Sequence, residues 1–151
     1  MAATSCNRSE CRGTRLLQKN VLDDWTAANL AFFYLGTAYL NKGEYRKAIE
    51  NLTSFRADDY MVASQALGST GDAYVELKEY DKAETYFKKA ADKASNSFLS
   101  PLYLKKLALV YEAENNFKDA ADTYKKIKND FPESTEALTI DSYIARAEAK
   151  L

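Results

Sequence analysis

The stretch STGDAYVELKEYDKAETYFKKA, Ser69 to Ala90, decides the fold because the chain writes it three times. YLGTAYLNKGEYRKAIENLTSF, Tyr34 to Phe55, aligns on it without a gap, and so does KLALVYEAENNFKDAADTYKKI, Lys106 to Ile127. Tyr39, Tyr74 and Tyr111 correspond, as do Tyr45, Tyr80 and Phe117, then Ala48, Ala83 and Ala120, then Leu52, Phe87 and Tyr124. Gly36, Gly71 and Ala108 stand at one further shared place. The step from Gly36 to Gly71 is 35 residues and that from Gly71 to Ala108 is 37. A period in this range marks a stack of supersecondary units, none of which can bury its apolar face alone.

Within each unit the apolar residues fall at helical spacing. Phe32, Leu35 and Tyr39 form one stripe, Ala48, Leu52 and Phe55 a second, and NKGEY separates them. This reads as helix–turn–helix. ELKEY and AENNF are the matching turns. Ser100 before Pro101 reads as an N-cap followed by proline at the first helical position, and Thr26, Asp58 and Ser134 are further candidate caps. Two crossing helices joined so tightly need small residues where they touch. Gly36, Gly71 and Ala108 supply them, with Ala48, Ala83 and Ala120 expected opposite.

These residues resemble the tetratricopeptide repeat family. Phe32, Leu35, Gly36, Tyr39, Ala48 and Leu52 occupy its frame in the first unit. Leu67, Thr70, Gly71, Tyr74, Ala83 and Phe87 do so in the second, and Leu104, Leu107, Ala108, Tyr111, Ala120, Tyr124 and Pro132 in the third. The match runs from about residue 27 to residue 132; Thr70 departs from the leucine of the frame, and only the third unit has its closing proline. The resemblance implies an all-α, right-handed superhelical solenoid of three helix–turn–helix repeats (26–58, 59–95 and 99–133, together 26–133) with a capping helix over 134–151. Residues 1–13 read as a frayed tail. Residues 14–25, with Leu16, Leu17, Val21, Leu22 and Trp25, read as a short helix or the remnant of an earlier repeat. A chain with such a remnant is expected to be part of a longer protein.

In that family the first helix of each repeat lines a concave groove that receives a partner segment. Carried onto this chain, the lining is Leu30, Phe33, Thr37 and Asn41, then Gln65, Gly68, Ser69, Asp72 and Glu76, then Leu102, Lys105, Lys106 and Leu109. Members that grip a C-terminal carboxylate use lysine, asparagine and arginine at places held here by Phe33, Thr37, Ser69, Leu102 and Lys106. Only Lys106 fits, so a co-chaperone of that kind is not expected. Gly68 has no counterpart in the other units, where Phe33 and Lys105 stand. It is expected to form an open saddle in the groove between them, with Ser69.

Catalytic and cofactor chemistry finds no residues to rest on. The chain has no histidine, so it cannot build a Ser-His-Asp or Cys-His site. Cys6 and Cys11 lack partners for a zinc site. No cofactor and no enzymatic activity is expected. A net charge of −1 gives no field for nucleic acid. No apolar run reaches the length of a membrane span, so direct membrane insertion is not expected. The partner expected is a protein or peptide segment bound by a non-catalytic scaffold. The alternative is a self-assembly module that forms homo-oligomers through the front of the first repeat. The ending YKKIKNDFPESTEA is also similar to repeat endings of bacterial cell-envelope proteins, among them the Tol-Pal coordinator and outer-membrane assembly lipoproteins. That likeness implies the periplasmic side of an envelope, given an upstream anchor, and the cytoplasm otherwise.

Overall fold

The structure, a computed structural model, describes residues 26–151. The expectations for residues 1–13 and 14–25, Cys6 and Cys11 among them, lie outside the described residues. Seven helices follow in order: α1 (residues 26–41), α2 (Tyr45–Ser54), α3 (Tyr60–Glu76), α4 (Tyr80–Ala94), α5 (Leu99–Ala113), α6 (Phe117–Asp130) and α7 (Ile140–Glu148). A 3-10 turn, Ala137–Thr139, precedes the last. Each helix from α2 onward packs on the next, so the chain is an all-α solenoid of stacked hairpins.

The turn inside each hairpin is the same motif three times. Gly43, Lys78 and Asn115 adopt left-handed backbone, with φ of 79°, 59° and 61°. The following amide reaches back in each case: Glu44 N–H to the Tyr39 carbonyl, Glu79 N–H to Tyr74, Asn116 N–H to Tyr111. The left-handed residue itself donates to Leu40, Val75 or Glu112. This is the Schellman arrangement that closes a helix by satisfying its last carbonyls.

The helix starts differ from those read in the sequence. Asp59, not Asp58, caps α3, accepting from Val62 N–H at 2.9 Å. Asn96 heads α5, accepting from Phe98 N–H and Leu99 N–H. Ser100 is buried inside the first turn, where its hydroxyl donates to the Ala91 carbonyl and ties α5 to the end of α4. Ser134 accepts from Ala137 N–H, so it opens the 3-10 turn, and the final helix starts only at Ile140.

Hairpin closure depends on the small residues, with a correction to what faces them. A Cβ on Gly36 would stand 2.6 Å from Leu52 Cγ, and one on Gly71 would stand 2.7 Å from Phe87 Cε1. The large frame residues of the second helices therefore fill the space above the glycines. The alanines expected there, Ala48 and Ala83, lie buried in the same cores. Two core clusters result: a small one around Ala48, Leu52, Phe55 and Ala66, and a larger one from Ala83 to Ala147 that contains Phe87, Tyr124, Ile127 and Ile140.

Neighbouring first helices meet through a size exchange. Phe33 of α1 packs into the cluster that holds Ala66 of α3. One repeat later the large partner moves to the other helix: Gly68 replaces Phe33, and Tyr103 replaces Ala66. A Cβ on Gly68 would lie 2.2 Å from Tyr103 Cε1. At the next junction Lys105 stands 4.5 Å from the Tyr143 ring centroid.

Candidate functional site: a slot between α3 and α5

Backbone contacts join α3 to α5 more than α4 to α6, the arrangement expected where first helices line the inner side of a curved stack. Between α3 and α5 lies a cavity of about 210 Å³, floored by Phe87 and Tyr80 of α4. Val75 stands on one wall, and Leu109, Val110 and Ala113 on the other. The walls follow from helical spacing: Leu109, Val110 and Ala113 fall three and four residues apart on one face of α5. Phe87 is fully buried, which makes it a rigid floor, while Leu109 is 43 % exposed at the rim.

One end of the slot is closed by an ion pair. Lys106 Nζ lies 2.8 Å and 2.7 Å from the two Asp72 carboxylate oxygens. Its ammonium also stands 5.8 Å from the Phe87 ring centroid, within cation–π range. Both side chains are about one-third exposed (34 % and 36 %), so solvent screening keeps the pair's contribution to stability below about 1 kcal/mol. Its effect is on chemistry. Lys106 alone matched a carboxylate clamp, and Asp72 already neutralises it. Tyr103, below this pair, has its phenol pushed up by burial and then by the Asp72 charge.

Gly68 aside, the residues expected to line the groove divide into four groups. Asp72, Lys106 and Leu109 meet at the slot. Leu30, Asn41, Gln65 and Glu76 are exposed elsewhere on the first helices, with Glu76 accepting from the Tyr45 hydroxyl at 3.2 Å. Thr37 turns its hydroxyl back onto the Phe33 carbonyl, and Ser69 and Leu102 are half-buried. Phe33 and Lys105 serve repeat-to-repeat contacts: Phe33 packs into the cluster that holds Ala66 of the next repeat, besides lying 5.3 Å from the Phe55 ring of its own, and Lys105 covers Tyr143.

The open saddle at Gly68 is corrected. Gly68 is buried, and the Tyr103 ring occupies the space that its missing side chain leaves. The groove therefore has no gap at that point. Its depression lies about two turns further along, at Val75 and Leu109.

Tyr80, Phe87, Val110 and Ala113 of the slot escaped the sequence reading. The first two sit at frame positions whose repetition signals core, and they are core on one side and floor on the other. Val110 and Ala113 are the helical neighbours of Lys106 and Leu109, and that spacing was the available signal.

Known proteins share this architecture. Two family models, each described as a tetratricopeptide repeat, match residues 33–98 and 106–134. The uncharacterized protein ycf37 of Guillardia theta is 31 % identical over 100 residues, which cover 64 % of this chain and 54 % of that protein. The chain thus spans about half the length of the curated relative it matches. The crystal structure of MamA superposes with a TM-score of 0.61 at 19 % identity, covering 97 % of this chain and 95 % of that one. At that identity the likeness concerns the fold.

Proposed function

Because the chain belongs to the tetratricopeptide repeat family, we propose that it is a non-catalytic scaffold whose inner slot receives an apolar side chain of a partner protein segment. The observation that carries this reading is the cavity of about 210 Å³ between α3 and α5, lined mainly by apolar groups with the Tyr80 phenol on its floor, and charged only at the Asp72–Lys106 end. Concave sites of this make-up anchor one large apolar group and use few polar groups to orient it. The ion pair supplies orientation: a carbonyl of the partner meets Lys106, and an amide meets Asp72. Leu109→Glu tests the reading in a pull-down with the parent protein as reference. Leu109 is exposed, so the fold tolerates the change, and the charged rim should abolish partner capture. Capture at the parent level contradicts the slot.

A second reading, self-assembly, is favoured by the front of α1. Phe32 is 39 % and Leu35 47 % exposed, whereas the same positions in the third repeat, Leu104 and Leu107, are buried. Among the described residues nothing covers this face. Light scattering separates the two readings. A mass above the monomer that falls on Phe32→Ser with Leu35→Ser supports assembly through this face. The envelope placement rests on the YKKIKNDFPESTEA ending alone, and fractionation of the native host decides it.

A further inference from the structure

We propose that the crevice on the outer side of the first repeat junction is a second binding site, which takes an acidic peptide segment carrying an apolar side chain. The crevice has a sequence origin. Toward α2, the third helix presents Ala63, Ala66 and Thr70, whereas the same positions of α5 hold Ser100, Tyr103 and Leu107. Small residues there leave the second helices α2 and α4 unfilled between them. The result is a cavity of about 300 Å³, larger than the inner slot and distinct from it in every lining residue.

Its base is apolar, from Leu52, Ala63, Ala66 and Leu67, and Arg56 and Lys89 stand on its walls. No carboxylate lines it. Three lysines of α2 and α4 are matched by acids: Lys47 with Glu44, Lys82 with Glu79, Lys88 with Glu84. Arg56 and Lys89 have no acidic partner among the described residues. Arg56 is nevertheless held in place, because its Nη1 donates to the Thr53 and Phe55 carbonyls at 2.6 Å and 3.0 Å. Its remaining guanidinium donors have no partner among the described residues, while its backbone N–H donates to Asn29 Oδ1 at 2.8 Å. Lys89 Nζ is positioned 5.3 Å from the Tyr86 ring centroid. Two positioned cations beside an apolar base complement a phenylalanine or leucine flanked by aspartate or glutamate. A basic segment would meet only repulsion there, so charge selects the class of ligand.

The test is a ¹⁵N NMR titration of the full chain with the blocked peptide Glu-Asp-Phe-Leu-Asp-Glu. Saturable shifts are expected at Arg56, Ala63, Ala66 and Lys89. Lys89→Glu, at an exposed position, should weaken binding at least about tenfold with the melting temperature unchanged. Arg56→Gln should do the same, with its melt recorded because Arg56 also holds the end of α2. Leu109→Glu should leave this titration unaltered, which separates the site from the inner slot. The proposal is overturned if these residues do not shift or if Lys89→Glu binds as tightly as the parent. Equal binding by the peptide with lysine in every acidic position also overturns it. So does inorganic phosphate giving the same shifts at the same concentration, which would mark a bare anion site.

Discussion

The ring of Tyr103 occupies the place where any residue but glycine at position 68 would put its side chain. A Cβ there would approach Cε1 to 2.2 Å and Cζ to 2.8 Å. Glycine in a helix interior costs roughly 1 kcal/mol against alanine, so the close contact between α3 and α5 is what retains it. Gly68→Ala is expected to destabilise the domain by about 1–3 kcal/mol, because overpacking a buried ring outweighs the propensity gain. Urea unfolding reads this directly. Gly68→Ala combined with Tyr103→Leu should recover part of the loss, since the two changes share one contact.

Lys78 adopts the same left-handed turn conformation as Gly43, with φ of 59°, but carries a side chain. Left-handed backbone costs a non-glycine residue on the order of 1 kcal/mol. Lys78→Gly should therefore raise the midpoint of thermal unfolding. Asn115→Gly should raise it less, because asparagine tolerates this conformation. A loss of stability on Lys78→Gly would show that the turn is held by the lysine side chain instead.

Glu114 has its carboxyl pushed above the usual range by burial and then by the charges of Asp81 and Glu84. A carboxyl raised on folding opposes folding when charged. That penalty is present at pH 7 and disappears as pH falls through the folded and then the unfolded value. Glu114→Gln should thus give a small gain in melting temperature at pH 7 and none near pH 3, the gain being small because the residue faces solvent. A gain that persists at pH 3 would point to a cause other than charge.

Ala83 is fully buried beside Phe87 in the second hairpin. Ala83→Leu is expected to cost about 1–3 kcal/mol by overpacking. An unchanged urea midpoint would contradict the hairpin register.

The hairpins were legible because three aligned copies fix both the period and the face each residue presents. Gly71 was legible for the same reason: it recurs as Gly36, and its contact lies within its own repeat. Gly68 was not, since its contact is Tyr103 of the next repeat, and the size exchange with Phe33 and Ala66 breaks the repetition on which the reading relied. The slot was half-legible. Asp72, Lys106 and Leu109 lie on first helices, where the resemblance places a groove, but their meeting point depends on a floor from α4 that repetition marks only as core. The caps show a similar limit. Asp58 and Asp59 are alike in sequence, and only backbone geometry selects Asp59.

The central claim is that a partner's apolar side chain enters the slot between α3 and α5. Peptides selected from a random library on the immobilised domain, then titrated against ¹⁵N-labelled protein, test it most directly. The account predicts that the selected peptides share one large apolar residue and shift Val75, Leu109, Val110 and Ala113 together, and that Leu109→Glu abolishes their binding. Shifts confined to the front of α1, at Phe32 and Leu35, with Leu109→Glu binding as tightly as the parent, would contradict it.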